Sequence, residues 1–181
     1  MGAEVVIVSY DSAWPRRFAE LGAALRTALG PVALRIDHTG STAIPGLDAK
    51  PIIDIQVSVT SFEPLAAYRD PIEQLGYVFR SRNPDRTKRY FRERAGGPET
   101  HIHVRQAGSW PEQFALLFRD YLRGHDADAK RYAAAKRRLA KQYGEDRHGY
   151  TDAKAPIIWE IIQKADRWNQ ETGRVPGPSD A

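Results

Sequence analysis

Residues 34–59, LRIDHTGSTAIPGLDAKPIIDIQVSV, constrain the fold more than any other stretch of the chain. They read as a strand, a loop of small residues and a second strand. Leu34, Ile36 and His38 alternate with Arg35 and Asp37, the period of two that a strand imposes. Gly40, Ser41 and Thr42 interrupt the alternation, and Pro45-Gly46 marks a turn. From Ile52 the alternation returns. Ile53, Ile55, Val57 and Val59 fall on one face; Ile52, Asp54, Gln56 and Ser58 fall on the other. The first face needs helices to bury it. The second puts a carboxylate, an amide and a hydroxyl on what reads as an interior strand. Polar groups placed there cost free energy unless polar partners meet them, so a site on that face is the first expectation.

The rest of the chain supplies packing partners. Residues 5–8 read as a short apolar strand. A helix follows, capped by Asp11 or Ser12 and with Pro15 in its first turn. Phe18, Leu21, Ala24, Leu25 and Ala28 recur in it at helical spacing until Gly30-Pro31 stops the run. A second helix, capped by Ser61, extends to about Leu75, with Pro71 disturbing it and Gly76 closing it. Residues 77–81, 88–94 and 100–106 read as strands joined by turns too tight for crossovers, hence an antiparallel meander. Helices over 111–123 and 126–143 come next. Thr151 caps a last helix whose Ile157, Ile158, Ile161, Ile162 and Ala165 form a core-facing stripe. Residues 173–181, rich in Pro and Gly, read as a frayed, flexible tail. No repeat or internal boundary is visible, so the pattern predicts one α+β unit over 1–172 with a mixed sheet.

Composition narrows the chemistry. The chain has no cysteine, which excludes disulfides, a thiol nucleophile and a thiolate zinc site. No run of about 18 apolar residues is present, so no membrane span is expected. The first ten residues lack a basic and then apolar leader pattern, and a cytoplasmic protein is the expectation. A formal net charge of +4 is compatible with an anionic partner and equally with plain solubility.

A second strand carries the same kind of polar face. His101, His103 and Arg105 share one side of residues 100–106, opposite Ile102 and Val104. If this strand neighbours the Asp54 strand in one sheet, the two polar faces converge on one cleft. The alternative is that both simply face solvent, as antiparallel sheets often do. Gly40-Ser41 offers close backbone approach and a hydroxyl to a phosphate, although most such pairs are ordinary turns. Arg80, Arg82, Arg86, Lys88, Arg89, Arg92 and Arg94 crowd the meander beside Tyr90 and Phe91. They suit a triphosphate, an acidic substrate or single-stranded nucleic acid, or else a solvated strand face. Lys130, Arg131, Lys136, Arg137, Arg138 and Lys141 read as the solvated face of a helix. Lys154, at the start of the last helix, adds charge where a helix already favours an anion.

A Gly-Ser pair after a strand, followed by an acidic residue on the next strand, resembles the nucleotidyltransferase superfamily. HTGSTAIPGLDAKPIIDI, with RYF at 89–91, HIHV at 101–104, FRDYLR at 118–123 and YTDAK at 150–154, resembles the GrpB family. The likeness spans residues 5–168. It implies a nucleotidyltransferase-like mixed β-sheet packed with helices, and a helical C-terminal part. It also implies metal-assisted transfer of a nucleotidyl or related group from a nucleoside triphosphate to an acceptor. Gly40, Ser41, Arg89, Tyr150 and Lys154 would then bind phosphate or substrate, and Asp54, His101, His103 and Lys154 would be catalytic. Asp54, His101 and His103 would hold a divalent metal, Mg²⁺ or Mn²⁺. The superfamily usually places a second acid two positions after the first, and here that position is Gln56. One carboxylate with two histidines suits a Zn²⁺-type ion better than Mg²⁺. The partner implied is a small nucleotide or another anionic substrate, with nucleic acid left open. Two other readings stand beside this one: a non-catalytic nucleotide- or anion-binding domain, and a different metal-dependent reaction run by Asp54, His101 and His103.

Overall fold

The computed structural model describes residues 4–181, so the first three positions of the expected 1–172 unit lie outside the described residues. Five strands form one mixed sheet: β1 Arg35–Thr39, β2 Ile53–Val59, β3 Tyr77–Phe79, β4 Arg89–Glu93 and β5 Thr100–Gln106. Their order is β1-β2-β5-β4-β3. Neighbours pair antiparallel except β2 and β5, which run parallel. That exception follows from chain length. The connection from β2 to β5 contains helix α2, Ala66–Gln74, and the β3–β4 hairpin, which is long enough for a crossover.

The apolar face of β2 is buried along its whole length at Ile53, Ile55, Val57 and Val59. With Ile102, Val104 and Phe91 it packs on α1, Trp14–Leu29, and on α2 through Phe18, Leu25, Leu29, Tyr68 and Ile72. Burying each such side chain contributes roughly 1.5–3 kcal/mol. A slip of one residue would put Asp54 and Gln56 into this layer, so the packing fixes which way the polar face turns.

The second half of the chain adds α3 Trp110–Gly124, α4 Asp126–Tyr143, α5 Arg147–Ala153 and α6 Ala155–Thr172. The stripe at Ile157, Ile158, Ile161, Ile162 and Ala165 packs on Leu117, Tyr121 and Leu122 of α3 and Ala129 and Tyr132 of α4. Ile44 and Leu47, from the loop between β1 and β2, are buried in the same cluster. Those two side chains tie the Gly40-Ser41 loop to the helical half.

Several local expectations differ from the structure. The helix expected to be capped by Thr151 is two helices, because Pro156 has no N–H to donate to Asp152 and its ring crowds that carbonyl. Lys154 sits at the junction, while Thr151 lies inside α5 and donates its hydroxyl to Arg147 O at 2.8 Å. Ser61 accepts from the Glu63 N–H at 3.1 Å and caps no helix; α2 starts at Ala66 and continues through Pro71. Residues 5–8 make a single bridge, Val8 to Ala49, because the Val5 N–H turns away to Gly144 O at 3.0 Å. The stretch read as a frayed tail lies along β1. Ser179 Oγ bonds to both backbone groups of Ile36, the Ala181 N–H donates to Ile36 O at 3.1 Å, and Asp180 accepts from the His38 N–H at 2.9 Å. These contacts satisfy strand groups that an open sheet edge leaves unpaired. Among the described residues no helix is long and apolar enough to cross a membrane.

Candidate functional site

The parallel pairing of β2 with β5 sets Asp54 opposite His101 and Gln56 opposite His103, so the two polar faces lie side by side. Asp54 Oδ1 is 3.3 Å from His101 Nδ1 and 3.2 Å from His103 Nε2. One ligand atom from each of the three residues lies within 4.8 Å of the others. The rest of this face is roofed by α3 rather than by solvent. Gln56 and Ser58 are fully buried; Gln56 Nε2 donates to Glu112 O at 3.3 Å and the Ser58 hydroxyl donates to the Glu112 carboxylate. The polar face therefore has two fates. Its Ser58 end is tied to Glu112 in the interior, and its Asp54 end opens into a cleft.

Burial pushes the Asp54 carboxyl up, but hydrogen bonds from His101 and His103 outweigh it and hold the group well below the usual carboxylate range. Burial lowers the His103 imidazole, opposed by Asp54. Among the described residues His101 Nε2 and His103 Nδ1, the ring nitrogens turned away from Asp54, are buried without a hydrogen-bond partner. The donor set of one carboxylate and two imidazoles is a candidate site for a divalent ion. Asp54, His101 Nδ1 and His103 Nε2 would hold it.

The cleft measures about 600 Å³. Gly40, Ser41, Asp54, His101, His103, Tyr150 and Lys154 all border it. So do Lys88, one of the meander cations, and two lysines that sequence reasoning missed or misread, Lys50 and Lys136. Tyr150 is the organising ring on the basic wall. Lys154 Nζ lies 4.7 Å from its centroid and Lys50 Nζ 5.7 Å, so one electron-rich ring stabilises two ammonium groups. Burial and the neighbouring Lys50 bring Lys154 down to about 8. Burial and the neighbouring Lys154 bring Lys136 down to about 7. Lys136 is only 3% exposed and donates to Asp48 O at 2.5 Å. The reading of Lys136 as a solvated residue is thus corrected. The signal lay in its spacing: Tyr132, Lys136 and Leu139 share one face of α4, and that face is buried.

Arg89 is not brought to this cleft. It alternates with Tyr90, and its side chain lies on the other face of the sheet, its guanidinium 4.2 Å from the Phe62 ring centroid. Period-two geometry sends Lys88 and Tyr90 to the cleft instead. His38 also turns away. It stacks on Phe18 at 4.7 Å, meets Thr42 Oγ1 at 3.0 Å, and burial lowers it to about 4. Arg119 and Asp120 are structural: Arg119 is 3% exposed and pairs with Asp120 at 2.7 Å and Asp180 at 2.8 Å.

The model of the GrpB protein family matches residues 4–164. The chain belongs to the GrpB family. A UPF0157 protein of Halalkalibacterium halodurans is 39% identical over 167 residues, covering 91% of this chain and 84% of the relative. The dephospho-CoA kinase of Mycobacterium leprae is 32% identical over 196 residues, which cover 92% of this chain and 48% of that protein. The crystal structure of GrpB from Enterococcus faecalis superposes with a TM-score of 0.81 at 31% identity, covering 90% of this chain and 99% of that one. Terminal uridylyl transferase 4 of Trypanosoma brucei, solved with bound dUTP, superposes with a TM-score of 0.55 at 14% identity, covering 86% of this chain and 55% of that one. That likeness is one of fold: this GrpB-family chain has the nucleotidyltransferase-like mixed sheet packed by helices.

Proposed function

We propose that this GrpB-family chain is a nucleotidyltransferase-like enzyme that transfers a nucleotidyl or related group from a nucleoside triphosphate to an acceptor. The observation that carries the reading is one cleft with an Asp54–His101–His103 donor set beside the lysines Lys50, Lys136 and Lys154. Gly40 and Ser41 approach the phosphates, and Lys154, Lys50 and Lys136 neutralise their charge. Tyr150 holds two of those ammonium groups in place. A divalent ion on Asp54, His101 and His103 would supply Lewis-acid polarisation of a phosphoryl oxygen. The acceptor's nucleophilic atom forms a bond to the α-phosphorus. The bond from that phosphorus to the bridging oxygen breaks, pyrophosphate leaves with the electron pair, and the acceptor's proton passes to solvent. A fold neighbour solved with dUTP supports a nucleotide as the ligand class.

Gln56 favours a second reading. The position two residues after Asp54 is neutral, buried under α3 and bonded to Glu112. A site with one carboxylate suits a different metal-dependent reaction, or nucleotide binding without turnover. The test is a thermal-shift screen of nucleoside triphosphates crossed with Mg²⁺, Mn²⁺ and Zn²⁺, followed by a pyrophosphate-release assay on the stabilising pairs. Release of pyrophosphate supports transfer; stabilisation without release supports a binding domain.

A further inference from the structure

The reaction proposed above needs two substrates, and the basic cleft accounts for one. A second cleft of about 220 Å³ adjoins it and shares Gly40, Asp54 and His103 with it. The volume falls below the ~300 Å³ at which sites for drug-sized ligands begin, so it suits a single ring. Its character is opposite to that of its neighbour. Phe114, Phe118 and Ile158 form an apolar wall, and among the described residues no lysine lines it. Phe114 also touches the exposed rings of Trp110 at 5.9 Å and Trp159 at 6.1 Å, both more than half exposed.

Thr39, Gln56 and Arg105 interrupt the apolar wall, and the last two leave polar atoms unused. Gln56 is fully buried, its Nε2 is used on Glu112, and its Oε1 has no hydrogen-bond partner among the described residues. Arg105 Nε is likewise buried without a partner among the described residues, although Arg105 Nη1 reaches Thr87 Oγ1 at 3.3 Å. The two residues are diagonal neighbours on the same face of β2 and β5. An unsatisfied buried polar atom costs stability, and a ligand that pairs it recovers that cost. An acceptor and a donor against an aromatic wall complement a planar ring that carries an N–H beside a C=O.

We propose that this smaller cleft holds the acceptor of the transfer, a small ring-bearing molecule with an amide edge, its nucleophilic group turned toward Asp54 and His103. The proposal rests on the nucleotidyl-transfer reading. Gln56 then has a use that an acidic residue at the same position could not fill, because an ionised carboxylate lacks the Nε2 donor that holds the side chain to Glu112. The triphosphate and the acceptor meet at the residues the two clefts share.

Tryptophan fluorescence tests the proposal, with benzamide as the probe carrying the amide edge and methyl benzoate as the isostere without the N–H. Pyrophosphate titration of the same samples reports the basic cleft separately. The expected result is saturable quenching by benzamide, at least about tenfold weaker binding of methyl benzoate, and a loss of about tenfold for benzamide in Phe114→Ala and in Gln56→Leu. Pyrophosphate affinity should stay within about twofold of the parent in both variants. If Gln56→Leu fails to fold, Phe114→Ala carries the test. Equal affinity for the two probes, or benzamide binding untouched by Phe114→Ala, overturns the proposal while leaving the basic cleft intact. Benzamide binding in a protein that binds neither pyrophosphate nor any triphosphate overturns the transfer reading and the acceptor role with it. A single-stranded oligonucleotide whose binding is lost in Phe114→Ala overturns the small-molecule assignment in favour of a nucleic-acid end.

Discussion

A Cβ on Gly40 would lie 2.5 Å from Asp54 Oδ2, and Gly40 has φ +69. The loop therefore closes over the carboxylate only because this residue has no side chain. Gly40→Ala should displace Asp54 and weaken Mn²⁺ or Zn²⁺ binding by at least about tenfold, with a stability loss on the order of 1–3 kcal/mol. Gly30→Ala is the matched control. Its φ is +49 but nothing among the described residues lies within 4 Å of the added Cβ, so strain alone remains. Calorimetric metal titrations and thermal melts separate the two effects. Unchanged metal affinity in Gly40→Ala would show that the close approach does not position Asp54.

Asp54→Asn keeps the shape of the side chain and removes its charge. The parent carboxyl is held well below its ordinary value, so its contribution to stability is fully present above about pH 4 and is lost as pH falls further. The variant should remain folded and melt a few degrees lower than the parent near neutral pH. That gap should shrink once the pH drops below about 4. Metal binding should weaken by at least about tenfold. Equal metal affinity in the two proteins would remove Asp54 as a ligand.

The strands were the most legible part of this chain, because β2 and β5 each separate their apolar and polar residues with strict period-two alternation. The same alternation identified Asp54, His101 and His103 as candidates, and the parallel register of β2 with β5 brings them together. What stayed hidden depended on contacts between distant segments. Lys50 stands in a loop with no periodicity, and it reaches the cleft only because Ile44 and Leu47 fasten that loop to the helical core. Lys136 looked like one more charge on a polar helix until Tyr132 and Leu139 placed it on the buried side. Arg89 was misplaced for a different reason. Its sequence neighbourhood drew attention, while alternation with Tyr90 already put it on the opposite face.

The lysine wall makes anion binding sensitive to pH. Lys136 at about 7 and Lys154 at about 8 shed their protons as pH rises through that window. Pyrophosphate affinity should therefore fall between about pH 6 and about pH 9, even though pyrophosphate itself gains charge over the same range. In Lys136→Met and Lys154→Met that fall should flatten. A second readout carries the opposite sign. A lysine whose folded value lies below its ordinary 10.5 costs stability while charged, so parental stability gains as pH climbs from about 7 toward 10.5. Lys136→Met lacks that gain. Identical pH profiles for the parent and both variants would place the anion elsewhere.

The sharpest contest is between Lys154 and Arg89, the two cations that sequence reasoning placed in one site. Lys154 stands at the junction of α5 and α6, fixed there by Pro156 and held against the Tyr150 ring, on the wall of the cleft that Asp54 borders. Arg89 covers Phe62 on the far side of the sheet, with Nη1 donating to Arg86 O at 3.3 Å. A triphosphate lying along Gly40 and Ser41 meets the lysine and not the arginine. Lys154→Ala should weaken triphosphate binding by about tenfold, or about 1.4 kcal/mol, and Ser41→Ala by a smaller factor. Arg89→Ala should leave affinity within about twofold of the parent and act on stability instead, through the lost cation–π contact of about 0.5–1 kcal/mol. Nucleotide titrations of the three variants against the parent decide the matter. Parental affinity in Lys154→Ala and Ser41→Ala, together with about a tenfold loss in Arg89→Ala, would move the phosphate site to the meander and away from Lys154.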